Sequence, residues 1–210
     1  MWTHCHEKSF LKTLVCDCSS LPYSPLQTQC DSVENETMKT ELYWIEGSWP
    51  GKLAIVPRPR GGDWLADEVQ AWRQAGLDVM VSLLTQEENA ELDLTQEAES
   101  SQTGGLQFIE FPIPDRSVPV SHRATLALLR ELHQLLTEGK NVGIHCRQGI
   151  GRSAVIAACL LAFLGIEPEV AFQRVSTARG CIVPETAEQR DWVIAFAREL
   201  QDTSPISRPA

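Results

Sequence analysis

The 210-residue chain lacks any apolar stretch long enough to cross a bilayer: its longest, Ala154 to Leu164, falls well short of the roughly 20 residues a helical span requires. It is also short of basic residues. Lys and Arg total 18 against 28 Asp and Glu, and a net charge of -10 argues against a bulk binder of nucleic acid or of an anionic membrane. Any anionic substrate must therefore be drawn in by a local basic pocket. Paired Cys-x2-Cys spacing is missing too. The cysteines at 5, 16, 18, 30, 146, 159 and 181 are odd in number, which suits a reducing compartment better than a disulfide framework. His4, Cys5, His6, Cys16 and Cys18 do not make a zinc spacing, and no metal or cofactor is expected. The opening MWTHCHEKSFLKTLVCDC is interrupted by Glu7, Lys8, Lys12 and Asp17, a poor signal-peptide core, so a cytoplasmic protein is expected.

What is present is an ordinary core composition, 43% hydrophobic, in a length that suits one domain. Residues 1–40 show no helical or strand periodicity and read as a loosely ordered extension, with Met38 as a candidate natural start. From Leu42 onward strand and helix patterns alternate. LAIV (53–56), VMVSLL (79–84), LQFIEF (106–111) and NVGIH (141–145) are β-rich runs. Helical patterns lie between and after them: one begun by Asp63 and stopped by Gly76, a polar one from Gln86 to about Ser101, and one capped by Ser121 and stopped by Gly139. The third carries Leu126, Leu129, Leu132 and Leu136 on its apolar stripe. Three more cover 152–164, 168–179 and 185–201. This alternation predicts an α/β fold, a central mostly parallel sheet flanked by helices, with ligands at the strand C-termini. The domain is expected to span 41–202, with 203–210 as a tail. His122 and His133 are expected at the surface, Cys159 in the core, and Trp44, Trp49, Trp64, Trp72 and Trp192 in packing roles.

The chemistry concentrates in VGIHCRQGIGRS, residues 142–153. Cys146 ends a strand, Arg152 and Ser153 begin an apolar helix, and Gly149 and Gly151 lie between them. A strand, a tight loop and a helix N-terminus aim backbone amides at one point, an anion site suited to phosphate. Arg152 can add a planar fork to two phosphate oxygens. The same positive surroundings favour a thiolate at Cys146, and Ser153 can hydrogen-bond the sulfur.

HCRQGIGRS resembles the H-C-x5-R-S/T signature of the cysteine-dependent protein tyrosine phosphatases, and the short domain resembles their dual-specificity branch. That resemblance implies a phosphotyrosine-phosphatase-like fold with Cys146 as nucleophile, flanked by His145. Arg147, Gln148, Gly149, Ile150, Gly151 and Arg152 would then form the phosphate loop. It also implies a general acid, and Asp115 in FPIPDRSVP, 31 residues before Cys146, resembles the acid-bearing loop. ARGCIVPETAEQRDWV resembles the family's Thr-x-x-Gln segment, in which Gln189 would position water and Thr186 would cap a helix or contact the site. VPRPRGGDWLADEV is similar to a run in small phosphatases of the cyclin-dependent-kinase-associated type. There Arg58 or Arg60 either reaches the substrate phosphate or pairs with an acidic neighbour such as Asp63 or Asp67. Arg116 and Arg147 are candidate rim cations.

The resemblance implies a metal-independent phosphatase whose partner is a phosphorylated protein, acting on phosphotyrosine, with action on phosphoserine and phosphothreonine left open, with neither nucleic acid nor membrane as partner and the oligomeric state open. Two alternatives stand beside it. One is a phosphoinositide or RNA 5′-phosphatase of the same superfamily, disfavoured because the loop adds only Arg147 as a further cation. The other is a catalytically silent phosphopeptide-binding module, disfavoured because Cys146, Arg152 and Asp115 are all present. Cys159 and Cys181 leave redox regulation open.

Overall fold

A computed structural model describes residues 40–203. The expectations for the extension at 1–39, for a start at Met38 and for the tail beyond 203 lie outside the described residues. In chain order the elements are β1 Tyr43–Ile45, β2 Leu53–Val56, α1 Leu65–Gln74, β3 Val79–Ser82, α2 Gln86–Glu91, α3 Glu97–Thr103, β4 Gln107–Glu110, α4 His122–Thr137, β5 Val142–His145, α5 Arg152–Phe163, α6 Pro168–Arg179 and α7 Ala187–Thr203. The sheet runs β1-β2-β5-β3-β4, with β1 antiparallel to β2 and every other pair parallel. The expected mostly parallel sheet is the one found.

Every residue of β2, β3 and β5 is buried, because helices cover both sides of these strands. Successive side chains leave a strand on opposite faces. Leu53, Ile55, Val79, Val81, Val142 and Ile144 face one way, into the core that α4 and α5 close and that α6 and α7 extend by packing on α5. Ala54, Val56 and Met80 face the other and meet Leu65, Val69 and Trp72 of α1. The same alternation sends Ser82 and His145 toward α1 and α3, away from the larger core. Helix α5 is buried along its whole length from Arg152 to Ala162, which explains a composition that is apolar all round.

Several local expectations change. Asp63 caps nothing: it sits inside a 3-10 turn, Gly62–Trp64, whose N-cap is Gly61, because Gly62 takes a left-handed φ of 60° there. On α4 the buried stripe is Thr125, Leu128, Leu129, Leu132 and Leu136, with Leu126 only partly covered. His122 is half-buried rather than a surface residue. Its ring meets Trp192 edge-on at 4.8 Å and Phe196 at 5.4 Å, and Nδ1 pairs with Glu199. His133 is likewise half-buried, 5.9 Å from Phe163. Trp72 is core, whereas Trp64 is 53% exposed, stacked under Arg60 instead of packed inside.

Candidate active site

β5 lies between β2 and β3, so its C-terminus brings Cys146 out at the middle of the sheet's ligand-binding edge. The thiol is buried. The amide of Gly149 donates to Sγ at 3.3 Å, and Ser153 Oγ lies 3.5 Å from it. The curl that turns this amide inward needs Gly149 at φ 70°, and a Cβ there would meet Ile55 at 3.2 Å. Gly151 is the N-cap of α5 and no side chain caps the helix, which leaves its first amides for an anion. The carbonyls of the loop face outward onto Arg179, which donates to Gly149 O at 2.9 Å and Gln148 O at 3.2 Å and lies over the Tyr43 ring at 4.0 Å. Nothing in the sequence motif pointed to Arg179, because it comes from the far end of α6.

Arg152 is the most constrained side chain in the site, with 2% of it exposed. Its guanidinium makes two parallel bonds to Glu88, at 2.6 and 2.8 Å, donates to the carbonyl of Ile113 at 2.8 Å, and reaches Asp115 Oδ1 at 2.9 Å. Glu88 was not foreseen, although its signal was legible. Thr85 and Glu88 form a capping box at the start of α2: Glu88 N donates to Thr85 Oγ1 at 3.3 Å, and Thr85 N donates to the Glu88 carboxylate at 3.1 Å. Thr-x-x-Glu is visible in the sequence as a helix start, but its second duty to Arg152 is a tertiary fact. Burial pushes the Glu88 carboxyl up, yet the Arg152 fork, the Thr85 amide and the nearby positive charges outweigh it, and its pKa lies below the usual carboxylate range.

Asp115 follows β4 on the segment Pro114 to Ser117, its side chain half exposed. Arg116 beside it adopts φ 57° and lies 3.6 Å from Glu185, and Ser117 O accepts from Gln189 Nε2 at 3.1 Å. A second capping box starts α7: Gln189 N donates to Thr186 Oγ1 at 3.2 Å and Thr186 N donates to Gln189 Oε1 at 3.3 Å. Gln189, expected to position water, is fully buried beside the phosphate loop, where a Cβ on Gly151 would lie 3.0 Å from its Nε2, and its amide bonds both the cap and the Asp115 loop. Thr186 takes the capping role of its two expected ones. Thr186→Ala is expected to cost about 1 kcal/mol in a denaturant melt, the usual worth of an N-cap.

A cavity of about 200 Å³ opens over the thiol, lined by Asp115, Arg116, Cys146, Gln148, Ile150, Gly151, Arg152 and Glu185. Seven expected residues are not among them: Gly149, Ser153 and Gln189, which contact the loop or its neighbours as described, and Arg58, Arg60, Arg147 and His145. Arg147 forks onto Glu91 at 2.5 and 3.1 Å, an arrangement that holds Glu91 below and Arg147 above their ordinary pKa values. Arg60 pairs with Glu68 at 2.5 Å and stacks on Trp64, and the Arg58 guanidinium bonds the carbonyl of Pro59 at 3.2 Å. Each of these arginines has a nearby acceptor, and none lines the cavity. His145 is fully buried on the opposite face of β5. Its Nε2 is 2.9 Å from Glu97 Oε1, at ion-pair distance without hydrogen-bond angles, and Ser82 Oγ donates to the other Glu97 oxygen at 3.4 Å.

A doubly covered α/β sheet that delivers a thiol into an amide-lined loop, with an arginine at the next helix start, has the phosphatase fold of the cysteine-dependent enzymes. The chain belongs to the DSP-PTPase phosphatase family: residues 56–166 match the family model described as Tc-R-P, a polymorphic toxin system DSP-PTPase phosphatase. It is similar to cyclin-dependent kinase inhibitor 3 of Rattus norvegicus, 32% identical over 101 residues, which is 47% of each chain. That match therefore spans about half the length of the rat protein. The Homo sapiens protein of the same name is 26% identical over 195 residues, 85% of this chain and 92% of that one. In three dimensions the chain resembles kinase associated phosphatase, solved with its catalytic-site cysteine replaced by serine: TM-score 0.73, 22% identity, 79% of this chain and 98% of that one. At that identity the likeness speaks for the fold.

Proposed function

We propose that this chain is a phosphoprotein phosphatase working through a cysteinyl-phosphate intermediate, with phosphotyrosine as its foremost substrate and phosphoserine and phosphothreonine as further ones. The observation that carries the reading is the placement of Cys146 Sγ under the Gly149 amide, at an uncapped helix start, beside a guanidinium held by Glu88. The Cys146 thiolate attacks phosphorus while the ester oxygen leaves with a proton from Asp115. Water then attacks the cysteinyl-phosphate, giving its proton to Asp115 and releasing inorganic phosphate and the thiolate. Loop amides and Arg152 bind the equatorial oxygens, and Ser153 bonds the departing sulfur. The phosphoinositide reading loses its extra cation, since Arg147 is turned onto Glu91. Among the described residues no helix is long and apolar enough to cross a membrane, and the free thiols of Cys146, Cys159 and Cys181 support action in the cytoplasm.

Hydrolysis of an aryl phosphate in the presence of a chelator tests the proposal. Wild type turns over and Arg152→Ala does not; full activity in Cys146→Ser, or loss of wild-type activity to the chelator, refutes the mechanism. Asp115→Asn is expected to lower kcat by about 10²–10⁴, checked by steady-state kinetics on a phosphotyrosine peptide. A variant that keeps the wild-type kcat would assign the acid elsewhere.

A further inference from the structure

The rim of the cavity is not the basic collar that an anion site in an acidic protein would be expected to have. Above the thiol stand two carboxylates, Asp115 and Glu185, against one exposed guanidinium, Arg116. Arg152 does not change that balance, because its charge is already shared with buried Glu88. Of the other nearby cations, Arg147 is neutralised on Glu91, and Arg179 is turned onto the carbonyls of Gln148 and Gly149 and does not line the cavity. Glu185 lies close to the phosphate loop itself: a Cβ built on Gly151 would be 3.4 Å from its Oε2. Its only ion pair among the described residues is the 3.6 Å contact to Arg116, which leaves one carboxylate oxygen directed to the cavity lip. A carboxylate in this position repels every anion that approaches. It is tolerable for a single phosphate, which sinks past it to the loop amides, and unfavourable for a second negative group that must stay at the rim.

We infer that Glu185 is a specificity-determining residue, which selects monophosphorylated peptides with a basic side chain beside the phosphorylated residue and rejects substrates carrying a second phosphate or an acidic neighbour. This rests on the phosphatase reading of the site. A lysine or arginine flanking the phosphoresidue replaces Arg116 as the partner of Glu185, while an inositol headgroup with two phosphates places one of them against it. Repulsion built into a site is a recognised route to discrimination, because it acts on the competitor more than on the preferred substrate.

The test compares kcat/KM for four substrates: one phosphotyrosine peptide with flanking Lys, the same peptide with flanking Glu, the same with an adjacent second phosphotyrosine, and a soluble inositol bisphosphate. Wild type is expected to favour the Lys peptide over each of the others. Glu185→Gln is expected to shrink that preference about fivefold, the scale of one exposed charge pair, and Glu185→Lys to reverse it. The ratio is the readout, since a merely structural role for Glu185 moves all four rates together. Dissociation constants of the same four ligands, measured in a Cys146→Ser background, give the ratio independently of turnover. An unchanged ratio in Glu185→Gln, or wild-type turnover of the inositol bisphosphate equal to that of the Lys peptide, overturns the inference while aryl phosphate hydrolysis still stands. Absence of aryl phosphate hydrolysis by wild type overturns the phosphatase reading instead.

Discussion

Cys146→Ser is expected to hydrolyse aryl phosphate at least about 10⁴-fold more slowly than wild type while still binding phosphate and phosphopeptide. The size follows from removing the atom proposed to form the covalent intermediate; the Ser153 hydroxyl, 3.5 Å from the sulfur, is a far weaker nucleophile than a thiolate. Binding persists because the loop amides, Arg152 and the Glu88 fork do not depend on the thiol. Oxygen in place of sulfur keeps an acceptor for the Gly149 amide. Single-turnover assays and titration with labelled phosphopeptide separate the two effects. Retention of more than about a hundredth of the rate would show that Cys146 is not the nucleophile.

Glu88→Ala is expected to destabilise the domain by about 3–5 kcal/mol and to remove nearly all activity, although Glu88 does not line the cavity. Arg152 is almost fully buried and makes two of its charge-assisted bonds to this one carboxylate. Deleting the carboxylate leaves a buried cation whose remaining partners are two carbonyls and the half-exposed Asp115. Asp115, already bonded to the guanidinium, is then its one remaining carboxylate partner, and the proposed acid and phosphate fork are disturbed together. Glu88→Gln keeps the shape and the capping-box acceptor but not the charge, and is expected to fold with a smaller loss of stability and a still severe loss of kcat/KM. Urea melts and steady-state kinetics on both variants distinguish a folding defect from a site defect. The same pair gives a pH dependence. Glu88 ionises more easily folded than unfolded, so its stabilisation is fully present above its unfolded pKa and is lost as pH falls through the lower, folded value. Wild type should therefore lose stability on the acid side more steeply than Glu88→Gln.

The strands were legible because β2, β3 and β5 are short β-branched runs closed off by turn residues, and the last helices because Pro168, Gly165 and Gly180 punctuate them. The site was legible where its residues are neighbours in the chain. Cys146, Gly149, Gly151, Arg152 and Ser153 lie within eight positions, and a strand, loop and helix start allow them few arrangements. Isolated charges were less legible. For Arg58 and Arg60 the sequence left phosphate and an acidic neighbour as equal partners, and Arg147 was a candidate loop and rim cation; Arg60 pairs with Glu68, Arg147 with Glu91, and Arg58 bonds the Pro59 carbonyl. Gln189 looked like a water-positioning amide, and its geometry is that of a cap and a loop clamp.

By itself, then, the sequence determined the alternation of strands and helices and the strand-loop-helix segment that carries the thiol, because local sterics and periodicity act over a few residues. Tertiary structure alone decided which charges the loop would have. Glu88 reaches Arg152 across 64 positions and Arg179 reaches the loop carbonyls across 30, and neither partner belongs to a local pattern. A buried guanidinium must find a carboxylate wherever the packed helices place one, and a rim carboxylate such as Glu185 acquires meaning only when folding sets it beside Gly151.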